Sequence, residues 1–90
     1  MKGGGCAVPS LNIESIDEFV QDLITGPILS GPEKRFVEEL GMDIDLRFAL
    51  DQAQPALAIT AIRLCAVRAF GGLDKITKKM HKSLKAIGAV

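Results

Sequence analysis

The stretch Pro55–Phe70 reads PALAITAIRLCAVRAF, and thirteen of its sixteen residues are Pro, Ala, Leu, Ile, Val, Cys or Phe. Only Thr60, Arg63 and Arg68 are polar. A surface helix carries a single apolar stripe, whereas here Leu57, Ile59, Ala61, Ile62, Leu64, Cys65, Val67 and Phe70 go most of the way round. Such a helix needs neighbours on nearly every side. The stretch therefore predicts the central post of a small helical domain.

Working outward towards the N-terminus, Pro55 disfavours helical geometry at Gln54. A preceding helix is expected to stop at Ala53 and the central one to start at Pro55; a kinked continuous helix from Asp43 to Phe70 is the alternative. Asp43 can cap that preceding helix, with Ile44, Phe48, Ala49 and Ala53 on one side and Leu46 and Leu50 widening the face. Further back, Gly31-Pro32 opens a short helix buried through Phe36, Val37 and Leu40, and Gly41 is a natural left-handed stop. Ile28-Leu29 reads as an apolar connector. Ser15-Ile-Asp-Glu18 has the spacing of a capping box, so the first helix is expected to begin at Ser15. Its apolar residues Ile16, Phe19, Val20, Leu23 and Ile24 follow i, i+3, i+4, i+7, i+8 up to Thr25-Gly26-Pro27.

On the other side of the post, Gly71-Gly72 breaks the chain. A last helix is expected from about Leu73 to Ile87. Leu73, Ile76, Met80, Leu84 and Ile87 would lie on its inner face, with Lys75, Lys78, Lys79, Lys82 and Lys85 on the outer one. No stretch calls for a strand, since the β-branched residues recur at helical spacing. The expected fold is all-α: a compact bundle of four to five short helices around residues 55–70. Residues 1–11, with three consecutive glycines and Pro9, read as a flexible leader to a single helical domain over residues 12–90.

Ninety residues make one domain, and a chain of this size buries about 60–65% of its unfolded surface. With 48% hydrophobic and 24% charged residues, a wholly disordered chain is excluded. Trp and Tyr do not occur, which argues against binding single strands by base stacking. The formal net charge of zero hides a split. Residues 1–55 hold four basic and ten acidic side chains, whereas residues 56–90 hold seven basic side chains and only Asp74 as an acid. Acidic helices packed beside a basic one explain this; so does a basic C-terminal segment offered to an anionic partner.

Catalytic and metal chemistry find little support. His81 is the single histidine and lies among lysines; Gly3-Gly4-Gly5 lacks the Lys-Ser/Thr of a phosphate loop. Glu38-Glu39 and Asp43/Asp45 read as solvated faces and caps, and Asp43-Ile-Asp45 lacks the glycine and closing glutamate of a calcium loop. No catalytic, metal or cofactor-binding residue is assigned, and no small-molecule substrate is indicated. Cys6 and Cys65 stand at no metal-ligand spacing, and Cys65 reads as a small buried hydrophobe. Two cysteines and a start, MKGGGCAVPS, without an apolar signal core point to a reducing cytoplasm. The central helix would be about 24 Å long, short of a ~30 Å hydrocarbon core and interrupted by Arg63 and Arg68.

Two stretches resemble known families. Phe36-Val-Glu-Glu-Leu-Gly-Met-Asp43 looks like the run before the phosphopantetheine serine of acyl carrier proteins, but Ile44 stands at the serine position, so no prosthetic arm could attach there. Ala49 to Lys79, ending AVRAFGGLDKITKK, is similar to the stretch leading into the helix-turn-helix of some small antitoxin-type repressors, over about a third of the chain. That resemblance implies DNA contact through the basic helix. The closing MHKSLKAIGAV offers no Arg, Asn or Gln to pair with bases, so contact would be to phosphates.

The sequence reading is thus a non-enzymatic interaction module, a small regulator, inhibitor or adaptor. Its apolar surplus predicts a homodimer or a protein partner met through Phe48, Leu57, Ile62 and Phe70. The alternative is a nucleic-acid-binding or antitoxin-like regulator using Lys75, Lys78, Lys79, Lys82 and Lys85; binding at a membrane surface is a weaker third.

Overall fold

The computed structural model describes residues 12–27 and 31–90, which form five α-helices and one short 3-10 turn with no strand among them. The helices are α1 (Ile13–Thr25), α2 (Gly31–Met42), α3 (Ile44–Asp51), α4 (Pro55–Phe70) and α5 (Lys78–Ala86), with the 3-10 turn at Leu73–Lys75. The fold is a small all-α bundle. The leader, Cys6 and the Ile28-Leu29 connector lie outside the described residues.

Helix α4 is the post, as its composition demands. It packs against α1, α2, α3 and the 3-10 turn. Ala58, Ile59, Ala61, Ile62, Cys65, Ala66, Ala69 and Phe70 are all buried along it. The four alanines matter as much as the large residues, because they let neighbouring helices approach closely from several directions. Around them, Ile16 and Val20 of α1, Phe36 and Leu40 of α2, Leu46 and Ala49 of α3, and Met80 and Leu84 of α5 complete one continuous core. Phe36 and Phe70 meet within it where α4 ends, with ring centroids 5.8 Å apart and planes tilted by 55°, within the range of favourable aromatic pairs.

The boundaries follow the capping chemistry, in places differently from the sequence expectation. Helix α1 begins at Ile13 rather than Ser15, because the Asn12 side chain accepts hydrogen bonds from the Glu14 and Ser15 amides at 2.8 and 3.4 Å. Asn is a strong N-cap, and starting two residues earlier also brings Ile13 against the core. Gly41 does not stop α2, which runs on to Met42. The stop is Asp43, whose extended backbone breaks the helix and whose carboxylate accepts the Leu46 amide at 2.8 Å to start α3. Helix α3 ends at Asp51, two residues before the expected Ala53. Ala53 takes a left-handed conformation (φ 54°), and Pro55 then opens α4, so the two helices are separate.

The largest correction is at the C-terminal end. The expected continuous helix from Leu73 to Ile87 is broken at Ile76 and Thr77, both extended. The Thr77 hydroxyl accepts the Met80 amide at 3.4 Å and caps α5. Ile76 enters the core, while Leu73 stays exposed and leaves the inner face. Gly88, at φ 81°, closes α5 in the left-handed turn that glycine adopts readily, with the Ala89 amide donating to the Leu84 carbonyl at 2.9 Å. The tail is held down because Arg63 Nε donates to the Ala89 carbonyl at 2.8 Å.

Candidate functional site: an apolar face on α3 and α4

Helices α3 and α4 form an antiparallel hairpin. The turn at 52–54 joins one end, and at the other Asp43 reaches across to α4, accepting the Cys65 thiol at 3.4 Å and pairing with Arg68 at 3.8 Å. Glu39 of α2 also approaches Arg68, at 3.7 Å. These links set the rotation of α3. Its eight residues carry two overlapping apolar stripes, Leu46/Ala49/Leu50 and Ile44/Phe48, and only one can face α4. With Asp43 tied to Cys65, the first stripe goes inward and the second is left outside, against the expectation that Ile44 and Phe48 share the buried side.

The result is a row of large apolar side chains on the surface: Met42 76%, Ile44 82%, Phe48 52% and, from α4, Leu64 47% exposed. Met42, Ile44 and Arg68 line one shallow concavity with Glu39, Asp43 and Asp45. One helical turn along α3 from Ile44 is Phe48, and one turn back along α4 from Arg68 is Leu64. Because the hairpin is antiparallel, these two steps run the same way and place Phe48 and Leu64 on the same face. Scattered exposed hydrophobes are ordinary; a contiguous row is a mark of an interaction site.

The four interface residues expected from sequence divide. Phe48 is on this face. Leu57 is half-buried and packed on the core. Ile62 is completely buried and Phe70 is 8% exposed against Phe36, so neither is offered to a partner. Sequence reasoning took the apolar surplus of α4 as surface, but α1, α2, α3 and the 3-10 turn cover most of it. It missed Met42, Ile44 and Leu64, and the signal was the Ile44/Phe48 stripe left over once Leu46, Ala49 and Leu50 are taken inward.

The expected basic patch also divides. Lys78, Lys82 and Lys85 line one shallow depression with His81, Leu73, Asp74 and Ile76. Lys79 instead lies on the opposite side of α5, in a groove with Asp22 of α1 and Glu33 of α2. Lys75 is exposed on the 3-10 turn.

Cys65 is a free, buried thiol. Burial above all, then the Asp43 charge and hydrogen bond beside it, pushes it from its ordinary 9.0 up to about 12, with Glu39 adding and Arg68 opposing. Such a thiol is a poor nucleophile, so its role is packing and anchoring Asp43. The folded state holds the proton that the unfolded chain releases near pH 9, so stability declines as pH rises from 9 towards 12. Urea unfolding between pH 8 and 10.5 should show a steeper loss for the Cys6→Ser chain than for Cys6→Ser/Cys65→Ala, in which lysine ionisation is shared. Equal slopes would remove Cys65 as the cause.

No family model, curated protein or solved structure matches the chain. Among the described residues, no helix is long and apolar enough to cross a membrane.

Proposed function

We propose that this protein is a small non-enzymatic protein–protein interaction module, a regulator, inhibitor or adaptor, that forms a homodimer through the outer face of the α3/α4 hairpin. The observation that carries this reading is the exposed row Met42, Ile44, Phe48 and Leu64, edged by Arg68. Met, Phe and Arg are residue types enriched at interfaces. Two hairpins packed face to face about a two-fold axis would form a four-helix layer in which each copy buries the same patch of the other. A protein partner would use the same face. A cytoplasmic setting goes with the free Cys65 thiol.

Sedimentation equilibrium over a wide concentration range, under reducing conditions, tests this. The native chain should sediment as a dimer. Phe48→Glu/Leu64→Glu places two charges in the middle of the face and should weaken association by more than about 30-fold, the equivalent of one ~2 kcal/mol hot spot. Both positions are exposed, so the helical circular dichroism should be unchanged. A native chain that is monomeric throughout, or a double variant that dimerises as before, overturns the reading.

A further inference from the structure

We propose that the Lys78–Lys82–Lys85 face of α5 binds the phosphate backbone of double-stranded nucleic acid, without reading base sequence. This function is separate from self-association and uses another surface.

The first support is the arrangement of charge. Lys78, His81, Lys82 and Lys85 stand at i, i+3, i+4 and i+7, so they form one stripe about 10 Å long. All are exposed, and both ion pairs among the described residues belong to Arg68 instead. Asp74 is the one carboxylate that lines the same depression. Duplex DNA carries one negative charge per ~1.7 Å of axis, so a stripe of this length faces several phosphates at once.

The second support is that one of these charges, Lys78, stands where helix stability disfavours it. The N-terminal end of a helix is the positive end of its dipole and prefers acids. Helix α5 begins Lys78-Lys79 and has no acid in its first turn. Lys79 has a local reason, facing Asp22 and Glu33 in the groove beside α1 and α2. Lys78 shares its depression with the single carboxylate Asp74 and forms no ion pair, and its charge adds to the dipole to give a concentrated positive potential. A local rule broken without an internal gain is a mark of function.

The third support separates nucleic acid from lipid. An amphipathic helix binds a bilayer by burying its apolar face among the acyl chains. In α5 that face is Met80 and Leu84, continued by Ile87, and all three are already buried in the protein core. What α5 leaves outside is mainly charge, with Leu73 of the 3-10 turn the one exposed large apolar side chain beside it, too little to anchor a helix among acyl chains. Base reading through the Arg fork or the Asn and Gln amides is not built in either, because α5 presents none of these, and its lysines meet phosphate as point charges.

The test is fluorescence anisotropy of the full-length protein titrated into a short labelled DNA duplex, in two unrelated sequences and over a range of salt. Binding should be equal for the two sequences, in the range of about 10⁻⁴ to 10⁻⁶ M typical of non-specific contacts. Three neutralised phosphates predict a loss of roughly 40-fold between 50 and 200 mM salt. Lys78→Gln, Lys82→Gln and Lys85→Gln should each lower the log–log salt slope by about one, while Lys34→Gln on α2 should leave it unchanged. Anionic phosphatidylserine vesicles under the same conditions should not sediment the protein. No binding at low salt, binding indifferent to the three substitutions, or a preference for vesicles over duplex would each overturn the proposal.

Discussion

Replacing Phe36 with alanine will cost the fold about 3–5 kcal/mol. Phe36 is completely buried and meets Phe70 at the point where α2 crosses the end of α4. The loss combines the transfer energy of the ring, the cavity left behind and a ring–ring contact worth about 0.5–1.5 kcal/mol. A chain of ninety residues is typically stable by only about 5–13 kcal/mol, so the variant should stand close to the edge of folding. Urea unfolding followed by circular dichroism would show a much lower midpoint at an unchanged slope. Phe36→Leu keeps most of the volume and should fall between the two. A loss below about 1 kcal/mol for Phe36→Ala would place the residue outside the core altogether.

The second prediction contrasts Ile62 with Phe48. Both were expected from sequence to face a partner, and the structure sends them to opposite environments. Ile62→Ala should lower stability by about 2–5 kcal/mol at every protein concentration, because α4 has no room to collapse around the cavity at its centre. Phe48→Ala should change the stability of the dilute monomer by no more than about 0.5 kcal/mol and act on association instead. Measuring each variant by urea unfolding and by sedimentation separates the two effects. If Ile62→Ala weakened association while leaving the monomer's stability intact, the assignment of core and surface on α4 would be wrong.

These two residues show how far the sequence could be read. Its composition identifies α4 as central because thirteen apolar positions leave little room for a solvent face, and Pro55 and Gly71 mark its ends through their backbone chemistry alone. The middles of the inner faces of α1 and α5 were legible for a similar reason, since their apolar residues repeat at helical spacing against charged neighbours; Ile24 and Leu73, expected on those faces, lie exposed at the edges. Helix α3 was not legible. Ile44, Leu46, Phe48, Ala49 and Leu50 crowd eight residues, so periodicity cannot say which side is in. Thr77 was a missed cap, since the run Leu73–Ile87 satisfies the 3.6-residue period whether or not it is interrupted.

The sequence by itself determined the helical class, the central helix, its boundaries and the separation of acidic from basic halves. These are consequences of local preference and of total apolar content, which need no knowledge of neighbours. Only the tertiary structure decided which apolar residues remain outside. Asp43 holds Cys65 and Arg68 from across the hairpin, and that contact turns Leu46 and Ala49 inward and leaves Ile44 and Phe48 exposed. The packing of α5 beside α1 and α2 likewise placed Lys79 near Asp22 and Glu33, leaving Lys78, Lys82 and Lys85 as the outward stripe. Both outcomes depend on residues far apart in the chain. A helix can specify its own period, but the partner it packs against selects the phase.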